Sequence, residues 1–218
     1  MTTHLIVQLC NCLDISVPLD TAINACLKTT FWSTAHLSEF TVPNLTSFDP
    51  AIHIKCSDVR SAEDHEGHKV KVFFVPQTKS SPLGEDLYWA RQDGDCDPES
   101  ALDNHLMVND LPLDAPLFAY RHNSGYFRPL TWTAFTKRLN SIALQLGLGV
   151  LRFCGIWIGS VLEYLLQGLP LEVVKSMGRW SSNAFAVYLW KHAVVLAPYI
   201  QNNPVLEPFT WVTLPPVC

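Results

Sequence analysis

The chain has 218 residues, of which 48% are hydrophobic and 16% are charged, and its formal net charge is −5. This size and composition predict one globular domain with a sizeable core and exclude a largely disordered chain. A net acidic chain also argues against a strongly basic nucleic-acid-binding protein, although the acidic excess lies mainly in predicted loops of the central part.

Cysteine and histidine spacing predicts neither a disulfide framework nor a metal site. The seven cysteines are scattered without a CxxC pair, and the eight histidines have no metalloprotease-type spacing. We therefore expect no bound metal and a reducing compartment. The N-terminus lacks the pattern of a signal peptide, and the longest apolar stretch, 153–162, is too short to span a bilayer, so no membrane association is expected.

The first part of the chain predicts a helix followed by a small antiparallel sheet. Apolar residues at helical spacing predict a helix over about 20–38, with Asp20 as its N-cap. The segment FTVPNL then ends this helix. Alternating or β-branched patterns predict three strands, at 51–56, 69–75 and 86–91.

Helices dominate the rest of the chain. Capping residues and apolar periodicity predict four of them, at about 97–108, 131–147, 153–168 and 170–178. Ser181 or Ser182 then begins a helix that carries Tyr188 and ends at Pro198, and residues 202–218 contain four prolines. This order predicts an α+β fold, mostly helical, with the small antiparallel sheet near the N-terminal third.

Tyr188 lies in the stretch MGRWSSNAFAVYLW, and on the residues alone two interpretations of it stay open. An aromatic residue at helical spacing is usually core material, whereas a helical tyrosine after a turn would suit a nucleophile. Lys79, in the predicted turn TKSS, is by itself a typical solvated lysine, and Trp180 is by itself a typical packing residue. Only the combination of these segments is specific.

That combination resembles the catalytic domain of tyrosine recombinases, the phage integrase family. The resemblance is carried by LDTAINACLKTTFWSTAHLSEF, VKVFFVPQTKSSPLGEDLYWARQD, RPLTWTAFTKRL and CGIWIGSVLEYLLQGLPLEVVKSMGRWSSNAFAVYLWKHAVVLAPYIQ. It covers about 19–201 and is most similar to the recombinase-like proteins of fungal mobile elements. It implies a short N-terminal extension at 1–18, a tyrosine recombinase-like catalytic domain at 19–201 and a Pro-rich tail at 202–218.

The resemblance also implies a chemistry: DNA strand breakage and rejoining through a 3′-phosphotyrosyl intermediate, without a metal or nucleotide cofactor. Tyr188 would be the nucleophile, and Lys79 would be the general acid that protonates the leaving oxygen. Trp180 or Arg179 would support the phosphate. The Gly-Arg-Trp wording favours Trp180, whereas the nine-residue spacing to the tyrosine favours Arg179.

Three other positions depart from the family pattern. His36 stands in place of the first arginine, and Cys154 and Trp157 replace the histidine and the second arginine of the His-x-x-Arg motif. Arg152 lies nearby, five residues before the arginine position, and helical spacing would put it on another face. Because arginines supply the donors that bind transition-state phosphate, the resemblance implies a degenerate, catalytically impaired recombinase, a pseudoenzyme.

Partners and location follow from the same resemblance. Family members usually carry an N-terminal DNA-clamping domain for which 218 residues leave no room, so we expect an N-terminally truncated copy that binds DNA weakly. The tail would pair copies into a homo-oligomer on DNA, and a DNA substrate implies a nuclear location. Two other hypotheses remain: a non-catalytic DNA-binding or regulatory remnant of a mobile element, and a helical scaffold that no longer contacts DNA.

Overall fold

The structure is a computed structural model that describes residues 1–78 and 81–180. Within them the helices are α1 Thr3–Cys10, α2 Pro18–Trp32, α3 Leu37–Phe40, α4 Pro98–Asn109, α5 Trp132–Gln145, α6 Gly155–Leu166 and α7 Leu171–Met177. The strands are β1 Val59–Glu63, β2 Lys69–Val75, β3 Glu85–Trp89, β4 Tyr120–Arg121 and β5 Phe127–Arg128. The predicted α+β class, with a small antiparallel sheet, is confirmed.

The predicted helix over 20–38 is divided into α2 and α3. Helix α2 ends because Thr34 adopts a left-handed conformation with φ of +50°. The backbone N–H of Ala35 then donates to the carbonyl of Thr30, and that of Thr34 donates to Phe31, which is the Schellman ending of a helix. Glycine or asparagine usually takes this position, so a threonine there gives no signal in the sequence.

The predicted strand over 51–56 is wrong. This segment makes turns and a single antiparallel bridge, between Lys55 and Pro116. The backbone N–H groups of Cys56 and Leu117 donate to Ala115 and Ile54 around this bridge, and the pairing does not continue into a strand. The first strand of the sheet is β1 instead, a few residues later. The short β4–β5 ribbon is an element that the sequence analysis did not predict.

Strand β2 is the centre of an antiparallel sheet in the order β1-β2-β3. Val59 pairs with Phe73 on one side, and Phe73 pairs with Leu87 on the other. Phe73, Val75 and Leu87 are buried, so one face of the sheet packs on the helices.

Side-chain caps begin two of the predicted helices. The Asp97 carboxylate accepts from the backbone N–H groups of the first turn of α4, and the Thr131 hydroxyl accepts from Ala134 in α5. Asp20 is not the N-cap that the sequence suggested. It lies in the first turn of α2, where it accepts two hydrogen bonds from Arg138, at 2.8 and 2.6 Å.

The core joins the sheet to the helices. Phe40 meets both Phe73 and Phe118 edge to face, with ring centroids 5.9 and 5.6 Å apart. Helix α1 adds the fully buried Ile6 and Leu9 to the same core. The helix predicted to begin at Ser181 or Ser182, and the tail at 202–218, lie outside the described residues. No helix in the described part combines the length and apolar character needed to cross a bilayer.

His105 makes folding stability depend on pH. Burial lowers its pKa from 6.5 to about 4, although the ring also bonds the carbonyl of Leu117. The unfolded chain therefore takes up a proton in the window between about 6.5 and 4 that the folded chain excludes, and stability falls on acidification. We expect wild type to lose about 2 kcal/mol of unfolding free energy from this site between pH 7.5 and 5.

The measurement is urea unfolding at both pH values with a matched pair of variants. His105→Gln should lack this increment of pH dependence, while His65→Gln, at a side chain that is 90% exposed, should keep it. Equal pH dependence in wild type and His105→Gln would show that His105 does not titrate in this window.

Candidate functional site

Three positions assigned to the recombinase site lie side by side. The His36 ring, just before α3, stacks on Trp157 of α6 with centroids 5.8 Å apart and planes 19° apart. Trp157 meets Trp180, just after α7, edge to face at 4.4 Å and 71°. We call His36, Trp157 and Trp180 the aromatic trio. Their roles in a catalytic site stay a prediction, but the fold brings the three positions together.

Packing between α2 and α6 positions the first two members of the trio. The Tyr164 hydroxyl of α6 donates to the carbonyl of Trp32 at the end of α2, and the two rings meet edge to face at 5.5 Å. Tyr164 is buried, and this burial raises its pKa, so it stays a neutral donor. His36 follows Trp32 by four residues and Trp157 lies two turns before Tyr164, so this anchor sets their separation.

The Gly-Arg-Trp segment positions the third member. A Cβ on Gly178 would lie 2.5 Å from the Trp180 ring, because that ring folds back over the end of α7. Arg179 between them has a φ of +60°. This reversal turns the Trp180 ring toward Trp157 of α6 and points the Arg179 side chain toward Glu39 and Glu85.

Arg179 is held by two carboxylates. Its guanidinium donates to both oxygens of Glu39, at 2.9 and 2.8 Å, and to Glu85 at 2.9 Å. Its side chain is only 11% exposed, and the two glutamates are 8% and 21% exposed. Burial by itself would lower the pKa of Arg179, but the hydrogen bonds and charge of Glu39 and the charge of Glu85 raise it above its ordinary value.

This Arg179–Glu39–Glu85 cluster links the ends of several elements. Glu39 also accepts from the backbone N–H of His36 at 2.8 Å, which caps α3. Glu85, at the start of β3, also accepts from the hydroxyl of Thr78. The cluster contains one cation and two acids, so it is net acidic, and it already engages both terminal nitrogens of the arginine. A phosphate would have to compete with both carboxylates for it.

A cleft of about 540 Å³ opens beside the aromatic trio. Its walls come from the α2–α3 link, one side of α5 and the segment before α6. The lining residues that carry polar or aromatic groups are His36, Ser38, Trp132, Thr136, Asn140, Arg152, Phe153, Cys154 and Trp157. Cys154, in the predicted histidine position, is exposed at the start of α6.

The cleft includes residues that the sequence analysis discounted or missed. Arg152 was set aside because it falls on another helical face, yet α6 begins only at Gly155, so that argument does not apply. Trp132 and Asn140 were missed. The one signal in the sequence was a large aromatic residue, Trp132, directly after the Thr131 cap; in the structure it is half exposed. Lys79 and Tyr188 lie outside the described residues.

One group of metal-ligand side chains occurs among the described residues, and it is not at the trio. Asp64, Glu66 and His68 lie close together and exposed at the β1–β2 turn. Asp64 already bonds the His68 ring at 2.9 Å and accepts from the backbone of the turn. An Asx-type turn explains this arrangement without an ion.

The trio cannot do what a pair of arginines does. Two arginines present charged, planar donors that fit phosphate oxygens and remain protonated. Stacked indole and imidazole rings instead offer flat apolar faces and few donors. The arrangement suits contact with flat groups such as bases better than neutralisation of a pentavalent phosphate.

No protein-family model and no curated protein matches the chain. Several solved structures do match, each at a probability of 1.00. XerH site-specific recombinase bound to its difH substrate, in a pre-cleavage complex, has a TM-score of 0.59 at 14% identity over 91% of this chain and 51% of that one.

Two Holliday junction complexes are similar as well. The Flpe complex has a TM-score of 0.55 at 14% identity over 92% of this chain and 50% of that one. The FLP recombinase complex has a TM-score of 0.53 at 15% identity over 83% and 43%. The chain thus spans about half the length of the recombinases it matches. It has the α+β fold of the tyrosine recombinase catalytic domain.

Proposed function

We propose that this protein is a tyrosine recombinase-like DNA-binding protein whose capacity for strand breakage and rejoining is impaired. The observation that carries the proposal is the aromatic trio, because His36 and Trp157 occupy positions where the family resemblance expects arginines. The Arg179–Glu39–Glu85 cluster supports it further, since the one arginine there is already paired. Trp180 would be the phosphate-supporting residue, because Arg179 is engaged elsewhere.

Magnitudes support the impairment. Removing one preorganised donor to transition-state charge typically slows a reaction by about 10²–10³-fold. Two arginines and a histidine are replaced here, so even non-additive losses would leave little chemistry at Tyr188 and Lys79. A non-catalytic DNA-binding or regulatory role is the alternative that the same replacements favour.

The DNA partner is proposed from the fold, since the similar structures are complexes with Holliday junctions and with difH. The remaining parts of the proposal rest on the family resemblance alone. They are descent from a fungal mobile element, assembly into a homo-oligomer on DNA through residues 202–218, and work in the nucleus.

A mobility-shift titration on a four-way DNA junction tests the DNA-binding part. We expect weak binding at 50 mM salt that is largely lost by 200 mM. The affinity depends on phosphate neutralisation by lysines and arginines, and these are outnumbered by acids in this chain. A linear duplex of the same length is the comparison probe, and the junction should bind more tightly. No binding at 50 mM salt, or binding that salt does not weaken, would contradict the proposal.

A further inference from the structure

We infer that the cleft beside the aromatic trio binds a single unstacked nucleotide of a DNA strand. The inference rests on the proposed DNA binding and adds a ligand chemistry to it. The base of the nucleotide would lie against the indole of Trp132 or the exposed part of the His36–Trp157 stack, and the phosphate of the nucleotide would lie near Arg152. Strand cleavage plays no part in this binding.

The size of the cleft fits one nucleotide. A volume of about 540 Å³ lies within the roughly 300–1,000 Å³ that is usual for small-molecule sites. Three separate parts of the chain form the walls, and the packed helices α5 and α6 hold two of them. The cleft is therefore largely formed before a ligand enters.

The aromatic walls fit a base. Trp132 is 50% exposed although it lies on a structured helix, so its ring offers area that no described residue covers. His36 is exposed as well, and its ring lies nearly parallel to that of Trp157. Stacking on aromatic side chains takes any base that has left its neighbours, whatever its sequence.

The polar groups fit the rest of a nucleotide. Arg152 is exposed and forms no ion pair with any described residue, unlike Arg179. Asn140 accepts from the backbone N–H of Leu151 at 2.8 Å through Oδ1, which leaves its amide N–H groups as donors at the cleft wall.

Charge decides between anionic and neutral ligands. None of the residues that line the cleft is acidic, in a chain whose net charge is −5. The cleft is thus a local region where a phosphate meets a cation and no carboxylate. A planar ligand that carries a negative charge matches this lining better than an apolar one.

Two duplex probes of one sequence test the inference. One is fully paired, and the other carries a single extrahelical 5-iodouracil nucleotide that crosslinks to adjacent aromatic rings under near-ultraviolet light. We expect the chain to bind the bulged probe about tenfold more tightly, the scale of one stacked base. Irradiation should attach the probe to a peptide that contains Trp132 or Trp157.

Two variants and two matched controls locate the site. Trp132→Ala should abolish the preference for the bulged probe and leave affinity for the paired duplex unchanged, whereas Tyr126→Ala, at a side chain 77% exposed, should change neither. Arg152→Gln should weaken binding of the bulged probe more than Arg91→Gln, which removes another exposed cation elsewhere.

The outcomes separate this inference from the proposed function. Equal affinity for both probes, or a crosslink that maps away from the cleft, overturns the nucleotide site while DNA binding itself stands. Binding of neither probe at low salt overturns both. A preference for the bulge that survives Trp132→Ala with an unchanged crosslink yield also overturns the site.

Discussion

Replacing Arg179 by methionine should lower the free energy of unfolding by about 3 kcal/mol, because it removes the guanidinium that neutralises two carboxylates in a poorly solvated place. Glu39 and Glu85 are 8% and 21% exposed at their side chains, and both bond Arg179 within 2.9 Å. The change also removes the guanidinium that orients Glu39, whose carboxylate caps α3 by accepting from the His36 N–H. Urea unfolding at pH 7 measures the loss.

Arg60→Met is the matched control. Arg60 also pairs with a carboxylate at the sheet, Asp86, but its side chain is 54% exposed. Water screens that pair, so the control should cost far less than Arg179→Met.

Neutralising both acids together with the arginine, in Arg179→Met/Glu39→Gln/Glu85→Gln, should recover part of the loss. If Arg179→Met were no more costly than Arg60→Met, the cluster would not hold the site together.

The second large effect is a gain of phosphate binding when arginines are put at the trio. The double variant His36→Arg/Trp157→Arg should bind DNA more tightly and more salt-dependently than wild type. Each newly neutralised phosphate steepens the slope of log affinity against log salt by about 0.9, so the double variant should steepen it by up to about 1.8. Mobility shifts from 50 to 200 mM salt measure the slope.

The control adds the same charge elsewhere. Met107 and Leu113 are 73% and 72% exposed, so Met107→Arg/Leu113→Arg raises the net charge equally without touching the site. It should steepen the slope less than the site variant does. Equal slopes for the two double variants would mean that the trio does not face DNA. Near-ultraviolet circular dichroism checks that both variants keep the wild-type packing.

Local rules predicted the parts of the fold that local chemistry decides. Asp97 and Thr131 predicted the starts of α4 and α5, because a short polar side chain directly before an apolar helix usually caps its first turn. Strand β2 was predicted with its observed bounds, since its alternation reflects one buried face. The clustering of His36, Trp157 and Trp180 was implied by a family resemblance, because residues this far apart carry no common local signal.

The remainder depends on contacts that spacing does not reveal. The end of α2 depends on a threonine in a left-handed conformation, and the segment 51–56 pairs with a distant part of the chain only through the Lys55–Pro116 bridge. The pairing of Arg179 with Glu39 spans 140 residues, so no local pattern could show that Arg179, one of the two candidates for phosphate support beside Trp180, is held by carboxylates. Arg152 was discounted by a helical-face argument, although it precedes the helix.

The proposed impairment implies that the recombinase-like site forms no covalent link to DNA. The direct measurement uses nicked suicide junctions of randomised sequence, at the salt concentration where the junction is bound. Denaturing gels then detect protein that stays attached to a 3′ end, in wild type and in Tyr188→Phe. We expect no covalent product in wild type beyond that of Tyr188→Phe. A 3′-phosphotyrosyl product that forms in wild type and disappears in Tyr188→Phe would contradict it.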